Sequence, residues 1–152
     1  MEPDLVSRQP RALIVEDELL ISEELRDRLS RLGFVVIAAV DTAQQAITIG
    51  IRDRPDLVLM DIRLKGEKDG VQAAKEIRQH VDVPIVYVTA YSDDLTVERT
   101  KRTEYDGFIL KPFHRRELES TIAVAMQRHA IRAKERKTIG GSPGEPPASA
   151  SR

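Results

Sequence analysis

Glu16, Asp17 and Glu18 stand together directly after one apolar run, Asp61 follows a second, Thr89 closes a third and Lys111 closes a fourth. If those runs are parallel strands, the six side chains meet at one edge of a sheet. Carboxylates crowded to ~4 Å repel by on the order of several kcal/mol at the effective dielectric near a protein surface, so cations must sit among them. Lys111 supplies one positive charge. A hard divalent ion held by carboxylates and water would supply the rest, Mg2+ being the usual choice where a phosphate also binds. An ionised Asp61 is already a nucleophile, able to attack a phosphoryl group and form an aspartyl phosphate without a histidine as general base. The metal and Lys111 would neutralise the equatorial oxygens, and the Thr89 hydroxyl would donate a hydrogen bond to one of them. Singly, each residue reads as readily as something plainer: Asp17 as a helix cap, Thr89 as the start of a turn. Suitable types at four strand ends at once are harder to set aside.

The elements that must position them are legible as alternating patterns. Apolar runs at 12–15, 34–40, 57–60, 85–88 and 108–110 are rich in Val, Ile and Leu with little polar alternation, as expected of strands covered on both faces. Between them, Ile21, Leu25, Leu29 and Leu32 make one helical stripe that Gly33 ends. Asp41 and Thr42 can cap a second helix carrying Ala43, Ala46 and Ile47. A third follows Gly70 with Val71, Ala74 and Ile77 on one face, and a fourth, 93–102, is mostly polar. The fifth begins after Pro112 and is expected to bury Leu118, Ile122, Ala125 and Met126. Five strands each followed by a helix give an α/β architecture, (βα)5, with a parallel sheet, right-handed crossovers and helices on both faces. Such sheets place ligand sites at the carboxyl ends of their strands.

A length of 152 residues suits one domain. Residues 1–10 read as a flexible arm, 11–130 as the folded domain, and 131–152 as a basic helical extension followed by a Gly, Ser, Pro and Ala-rich disordered tail. A net charge of -1 excludes a generally basic, nucleic-acid-coating protein. The absence of cysteine excludes a disulfide scaffold, a Cys-ligated zinc and a thiol catalyst. The longest apolar run, 34–40, is too short to cross a membrane, and Glu2 and Asp4 do not suit a signal peptide, so a soluble, cytoplasmic protein is expected. No P-loop motif occurs.

Four motifs carry a resemblance to a known family: Leu13-Ile14-Val15-Glu16-Asp17-Glu18, Pro55-Asp56-Leu57-Val58-Leu59-Met60-Asp61, Val88-Thr89-Ala90 and Gly107-Phe108-Ile109-Leu110-Lys111-Pro112-Phe113. Over about residues 11–128 the chain resembles the response-regulator receiver domain of two-component signalling. The resemblance implies a flavodoxin-like three-layer sandwich with a five-stranded sheet of order 2-1-3-4-5. It implies that Asp61 accepts a phosphoryl group from a histidine kinase or phosphotransfer protein, and that Glu16, Asp17, Asp61 and the main-chain carbonyl of Arg63 hold Mg2+. It also implies a cis Lys111–Pro112 bond aiming the lysine at the site, although Pro112 would equally suit the start of a trans helix. Phe108 takes the position of the family's switch aromatic, coupled to an inward shift of the Thr89 hydroxyl; packing alone would also account for it.

The chain departs from the family pattern after Asp61, where Ile62-Arg63-Leu64-Lys65-Gly66-Glu67-Lys68-Asp69-Gly70 lacks a Met-Pro pair and is one residue longer. Arg63 and Tyr91 correspond to side chains that overhang the phosphoryl group, or else are solvated loop residues; a bulky Tyr91 is expected to slow hydrolysis. Leu19 and Leu20 fall off the first helix's core stripe and could dock the phosphodonor. The face of the fourth helix, fifth strand and fifth helix is the family's usual output surface, for a downstream protein target or a second copy. Arg128, Arg132, Lys134, Arg136 and Lys137 against Glu135 read as the solvated end of a helix. With no binding motif beside them, nucleic acid is not expected as the main partner. A switch rather than a turnover enzyme is therefore expected. The alternatives are a phosphatase-type enzyme forming the same aspartyl phosphate, and an unphosphorylated pseudo-receiver scaffold. The first usually needs a second Asp two residues on, where this chain has Arg63; the second has no need of repelling carboxylates.

Overall fold

The computed structural model describes residues 8–90, 98 and 105–140. Strands β1 (Arg11–Val15), β2 (Val35–Val40), β3 (Leu57–Met60), β4 (Ile85–Thr89) and β5 (Gly107–Leu110) form one parallel sheet in the order β2-β1-β3-β4-β5. Helices α1 (Leu19–Arg31), α2 (Ala43–Asp53), α3 (Gly70–Arg78) and α4 (Arg115–Gly140) complete the described elements. This is the flavodoxin-like (βα)5 topology expected above. The predicted fourth helix, 93–102, lies outside the described residues save Glu98, and α4 is the predicted fifth.

Strand side chains alternate between two cores, since successive residues point to opposite faces. Leu13, Val15, Val58, Met60, Ile85 and Tyr87 pack with Ala46 and Ile47 of α2 and Ala74 and Ile77 of α3. On the other face Ile14, Leu57, Leu59, Val86, Val88 and Ile109 pack with Leu25 and Leu29 of α1 and Leu118, Ile122 and Ala125 of α4. Met126 is only partly buried at the margin of that second core. Every residue of β3 and β4 is buried.

Three expectations need correction. The second strand is not covered on both faces: it is the sheet's edge, with Val35 exposed and the rest half-buried, and β5 at the other edge leaves Leu110 exposed. Hydrophobic pattern does not carry strand order. The buried residues of α1 are Ser22, Leu25 and Leu29; Ile21 is only half-buried and Leu32 is exposed. Leu32 lies past the last helical turn, where Gly33 at φ +95 lets Phe34 N–H donate to Leu29 O and Gly33 N–H to Ser30 O. The third concerns the basic end of α4, which is not simply solvated. Arg132 Nη2 donates to Asp106 Oδ1 at 2.6 Å, Arg136 pairs with Asp82, and His129 lies 3.4 Å from Asp82.

Candidate functional site

Each chemical side chain sits one step beyond, or at, the end of a strand whose backbone still holds it. Glu16 N–H donates to Val40 O, Asp61 N–H to Val15 O and Lys111 N–H to Thr89 O, each at 2.9 Å. Parallel pairing thereby brings Glu16, Asp17, Asp61, Thr89 and Lys111 to one edge, as the strand-end argument requires. Glu16, Asp61 and Thr89 are buried, and Asp17 is half-buried. An open groove of about 460 Å3 adjoins the cluster, lined by Asp17, Ser22, Arg26, Asp41 and Lys65 among others. The Lys111–Pro112 peptide is cis.

The charges are unevenly compensated. Lys111 Nζ lies 2.7 Å from Glu16 Oε1 and donates hydrogen bonds to Asp61 Oδ2 at 3.0 Å and Glu18 Oε1 at 3.2 Å. Burial disfavours the ammonium, but its contacts with Glu16 and Asp61 outweigh that and hold its pKa above the usual lysine value. Burial also pushes the Glu16 carboxyl up to about 7; Asp61's charge adds to the rise, while Lys111 and the Glu18 amide oppose it. Glu16 Oε1 touches the lysine charge yet accepts no directed hydrogen bond. Glu16, Asp17 and Asp61 each offer an oxygen, all within 4.8 Å of one another. One ammonium does not neutralise three carboxylates, and an all-oxygen set of this compactness, with a buried oxygen lacking a directed donor, fits a hard divalent cation.

The loop after β3 is built to hold Asp61. Asp69 caps α3 by accepting from Gln72 N–H while the Gln72 side chain accepts from Asp69 N–H, a reciprocal capping box. Gly70 N–H donates to Ile62 O at 2.7 Å, and a Cβ at Gly70 would lie 2.0 Å from Asp61 O. Lys65 pairs with Thr42 in a parallel bridge and lies 3.5 Å from Asp41, so the loop is braced against the turn after β2. Arg63 N–H donates to Asp61 Oδ1 at 3.4 Å, and its side chain is exposed. Tyr91 lies outside the described residues.

Phe108 is half-buried, with its ring 6.1 Å from Tyr87 and 6.1 Å from Tyr105. Leu110 pairs with Thr89 and Phe108 with Tyr87, so by strand alternation Phe108 shares a sheet face with Leu110 and Thr89 with Tyr87. Leu19 and Leu20 are 71% and 80% exposed at the start of α1, beside the site. Asp17, a possible cap for α1, is not its N-cap; Glu18 is.

Sequence reasoning missed three partnerships. Glu18 reaching Lys111 and Gly70 abutting Asp61 both depend on loop conformation, although Asp69-x-x-Gln72 before a helical pattern is a readable capping signal. The third is Asp106, buried at the opposite edge of the sheet. It accepts from Arg78 and Arg132 at 2.6 Å each and from Ile85 N–H at 3.0 Å.

The family model of the response regulator receiver domain matches residues 12–123. The chain is 35% identical over 118 residues to the transcriptional regulatory protein PdtaR of Mycobacterium tuberculosis (strain H37Rv), covering 78% of this chain and 57% of that one. It is 36% identical over 123 residues to the probable transcriptional regulator ycf27 of Porphyridium aerugineum, covering 80% and 50%. It thus spans about half the length of the curated relatives it matches. Among solved structures, the signal receiver domain of a modulated diguanylate cyclase from Desulfovibrio desulfuricans G20 superposes with a TM-score of 0.76 at 33% identity, covering 82% of this chain and 98% of that one. The receiver domain of PhyR from Erythrobacter litoralis gives 0.71 at 33% identity, covering 80% and 93%.

Proposed function

This chain belongs to the response regulator receiver domain family, and from that premise we propose that it is a phosphorylation-controlled switch that accepts a phosphoryl group on Asp61. The donor is a histidine kinase or phosphotransfer protein of a two-component system or phosphorelay, acting in the cytoplasm. Receiver domains in general signal rather than turn over substrate. The observation that carries this reading is Lys111 Nζ, 3.0 Å from Asp61 Oδ2 and 2.7 Å from Glu16 Oε1, beside three carboxylates whose oxygens fall within 4.8 Å.

In the proposed reaction an Asp61 oxygen attacks the phosphorus of a phosphohistidine. A P–O bond forms as the P–N bond breaks, and the electron pair returns to the imidazole nitrogen. Lys111 meets charge on the transferring oxygens, and the Thr89 hydroxyl donates to one of them. Glu16, Asp17, Asp61 and the Arg63 carbonyl would hold Mg2+, which when bound would supply charge neutralisation to the transferring group. The aspartyl phosphate then draws Thr89 inward, and Phe108 rotates into the space it leaves, altering the output face for a downstream protein or a second copy. The exposed Leu19 and Leu20 serve as part of the donor's landing surface. A phosphatase-type reading lacks its second acid, since the residue two beyond Asp61 is Arg63.

Incubation with a small phosphodonor and Mg2+ followed by intact-mass measurement tests the proposal. Wild type should gain one phosphoryl group and Asp61→Asn none; a wild type that gains none overturns it.

A further inference from the structure

Lys111 is shared among three carboxylates, and the third has no part in the reaction just described. Its ammonium donates to Glu18 Oε1 at 3.2 Å, across 93 residues of chain. Glu18 occupies the N-cap of α1, where a side-chain oxygen ordinarily accepts from an amide of the first turn; this one makes no such bond. Instead the side chain turns to Lys111, while Glu18 N–H donates to Glu16 Oε2 at 3.0 Å and fixes the main chain from which it reaches. The Glu18 side chain is 64% exposed, against 1% for Glu16 and 7% for Asp61, so it holds the ammonium from the solvent side.

We infer that Glu18 is a positioning residue for Lys111, keeping its ammonium at the mouth of the site once the other two carboxylates are engaged by a divalent ion. This rests on the reading of Glu16, Asp17 and Asp61 as metal ligands and of Asp61 as phosphoacceptor. Ligation by Glu16 and Asp61 draws their negative charge away from Lys111 and leaves the ammonium beside a second cation. Of its three partners, Glu18 alone then remains to oppose that repulsion. A mere helix cap would respond differently. Aspartate keeps the charge and is among the best N-caps, but its side chain is one methylene shorter and falls short of Lys111.

Glu18→Asp in the full chain therefore separates the two roles. Thermal unfolding, Mg2+ affinity by calorimetric titration, and the rate of phosphoryl uptake from a small phosphodonor at saturating Mg2+ are compared with wild type. The tether predicts an unchanged or higher Tm, Mg2+ affinity raised roughly two- to fivefold as the freed ammonium retreats from the ion, and an uptake rate reduced by a similar factor, the scale of an exposed ion pair. In a Lys111→Ala background the same substitution should add no further change. Wild-type affinity and rate in Glu18→Asp overturn the inference, as does an equal change in the Lys111→Ala background. Should wild type take up no phosphoryl group, the phosphoacceptor reading fails. The tether then stands or falls on Mg2+ affinity in the two backgrounds.

Discussion

Lys111 and Glu16 face each other at 2.7 Å with side chains 9% and 1% exposed, an ammonium pressed against a carboxyl whose own environment resists ionisation. The lysine comes from the end of β5 and the glutamate from the end of β1, two strands separated in the sheet by β3 and β4. Their contact spans the site, and the chemistry on either side depends on it.

The raised pKa of Glu16 makes stability depend on pH in a definite direction. Its folded value is about 7 against an ordinary 4.5. The protonated form is thus favoured by folding, and its contribution is full below 4.5 and lost as pH rises through 7. In EDTA the Tm should fall between about pH 5 and 8, and Glu16→Gln should flatten that slope. Mg2+ must displace the same proton, so its affinity should rise by up to roughly tenfold per pH unit below 7 and level off above it. Titrations at pH 6 and 8 check this.

Lys111→Ala should separate metal binding from phosphoryl transfer. Removing the ammonium takes a cation away from the candidate metal position, so Mg2+ affinity should increase several-fold. Phosphoryl uptake from a small donor should fall by roughly a hundredfold, the usual cost of losing a charge that meets the transition state. A parallel loss of both would count against the assigned role.

Gly70→Ala is expected to disturb the acceptor without touching any charge. The added methyl would lie 2.0 Å from Asp61 O, a backbone atom that cannot swing aside. Denaturant unfolding should show a loss of about 1–3 kcal/mol, with slower phosphorylation. Gly33→Ala is the control: it meets nothing within 4 Å but sits at φ +95, so it should cost about 1 kcal/mol through backbone strain alone and leave phosphorylation unchanged.

Asp106→Ala should cost about 3 kcal/mol or more, because it strips a buried carboxylate from Arg78, Arg132 and the Ile85 amide at once. Arg132 is 41% exposed, so Arg132→Ala should cost only about 1 kcal/mol or less. Equilibrium urea unfolding of the two variants distinguishes a shared anchor from independent surface pairs.

Leu20→Asp should leave folding and small-donor phosphorylation as they are, since the side chain is 80% exposed, and should slow phosphoryl transfer from a histidine kinase. A wild-type rate of transfer from the kinase to the variant would remove the docking role.

The strands were legible because β1, β3 and β4 bury nearly every residue, leaving unbroken apolar runs. The candidate site was legible for a related reason: in a parallel sheet, residues following different strands must share an edge, so residue type at Glu16, Asp61, Thr89 and Lys111 was enough to group them. What escaped is what local pattern does not encode. An apolar stripe locates a helix face only to within a neighbour, hence Ser22 buried where Ile21 was expected. Asp106 and the cations of α4 are joined by ion pairs between distant segments, and an isolated acidic residue before a strand gives no sign of them. Glu18 looked like one more acid in a row; only the unused cap reveals where it points.

Glu16, Asp61 and Lys111 each keep a main-chain amide bonded to the neighbouring strand. Their aim is consequently set first by the sheet's lattice, which the loop after Asp61 then braces. A one-residue slip of β1 or β3 would carry the acid through the pleat to the opposite face of the sheet, away from Lys111. Loops around this centre can vary in length, while the alignment of the ladder beneath them cannot shift without moving the acids.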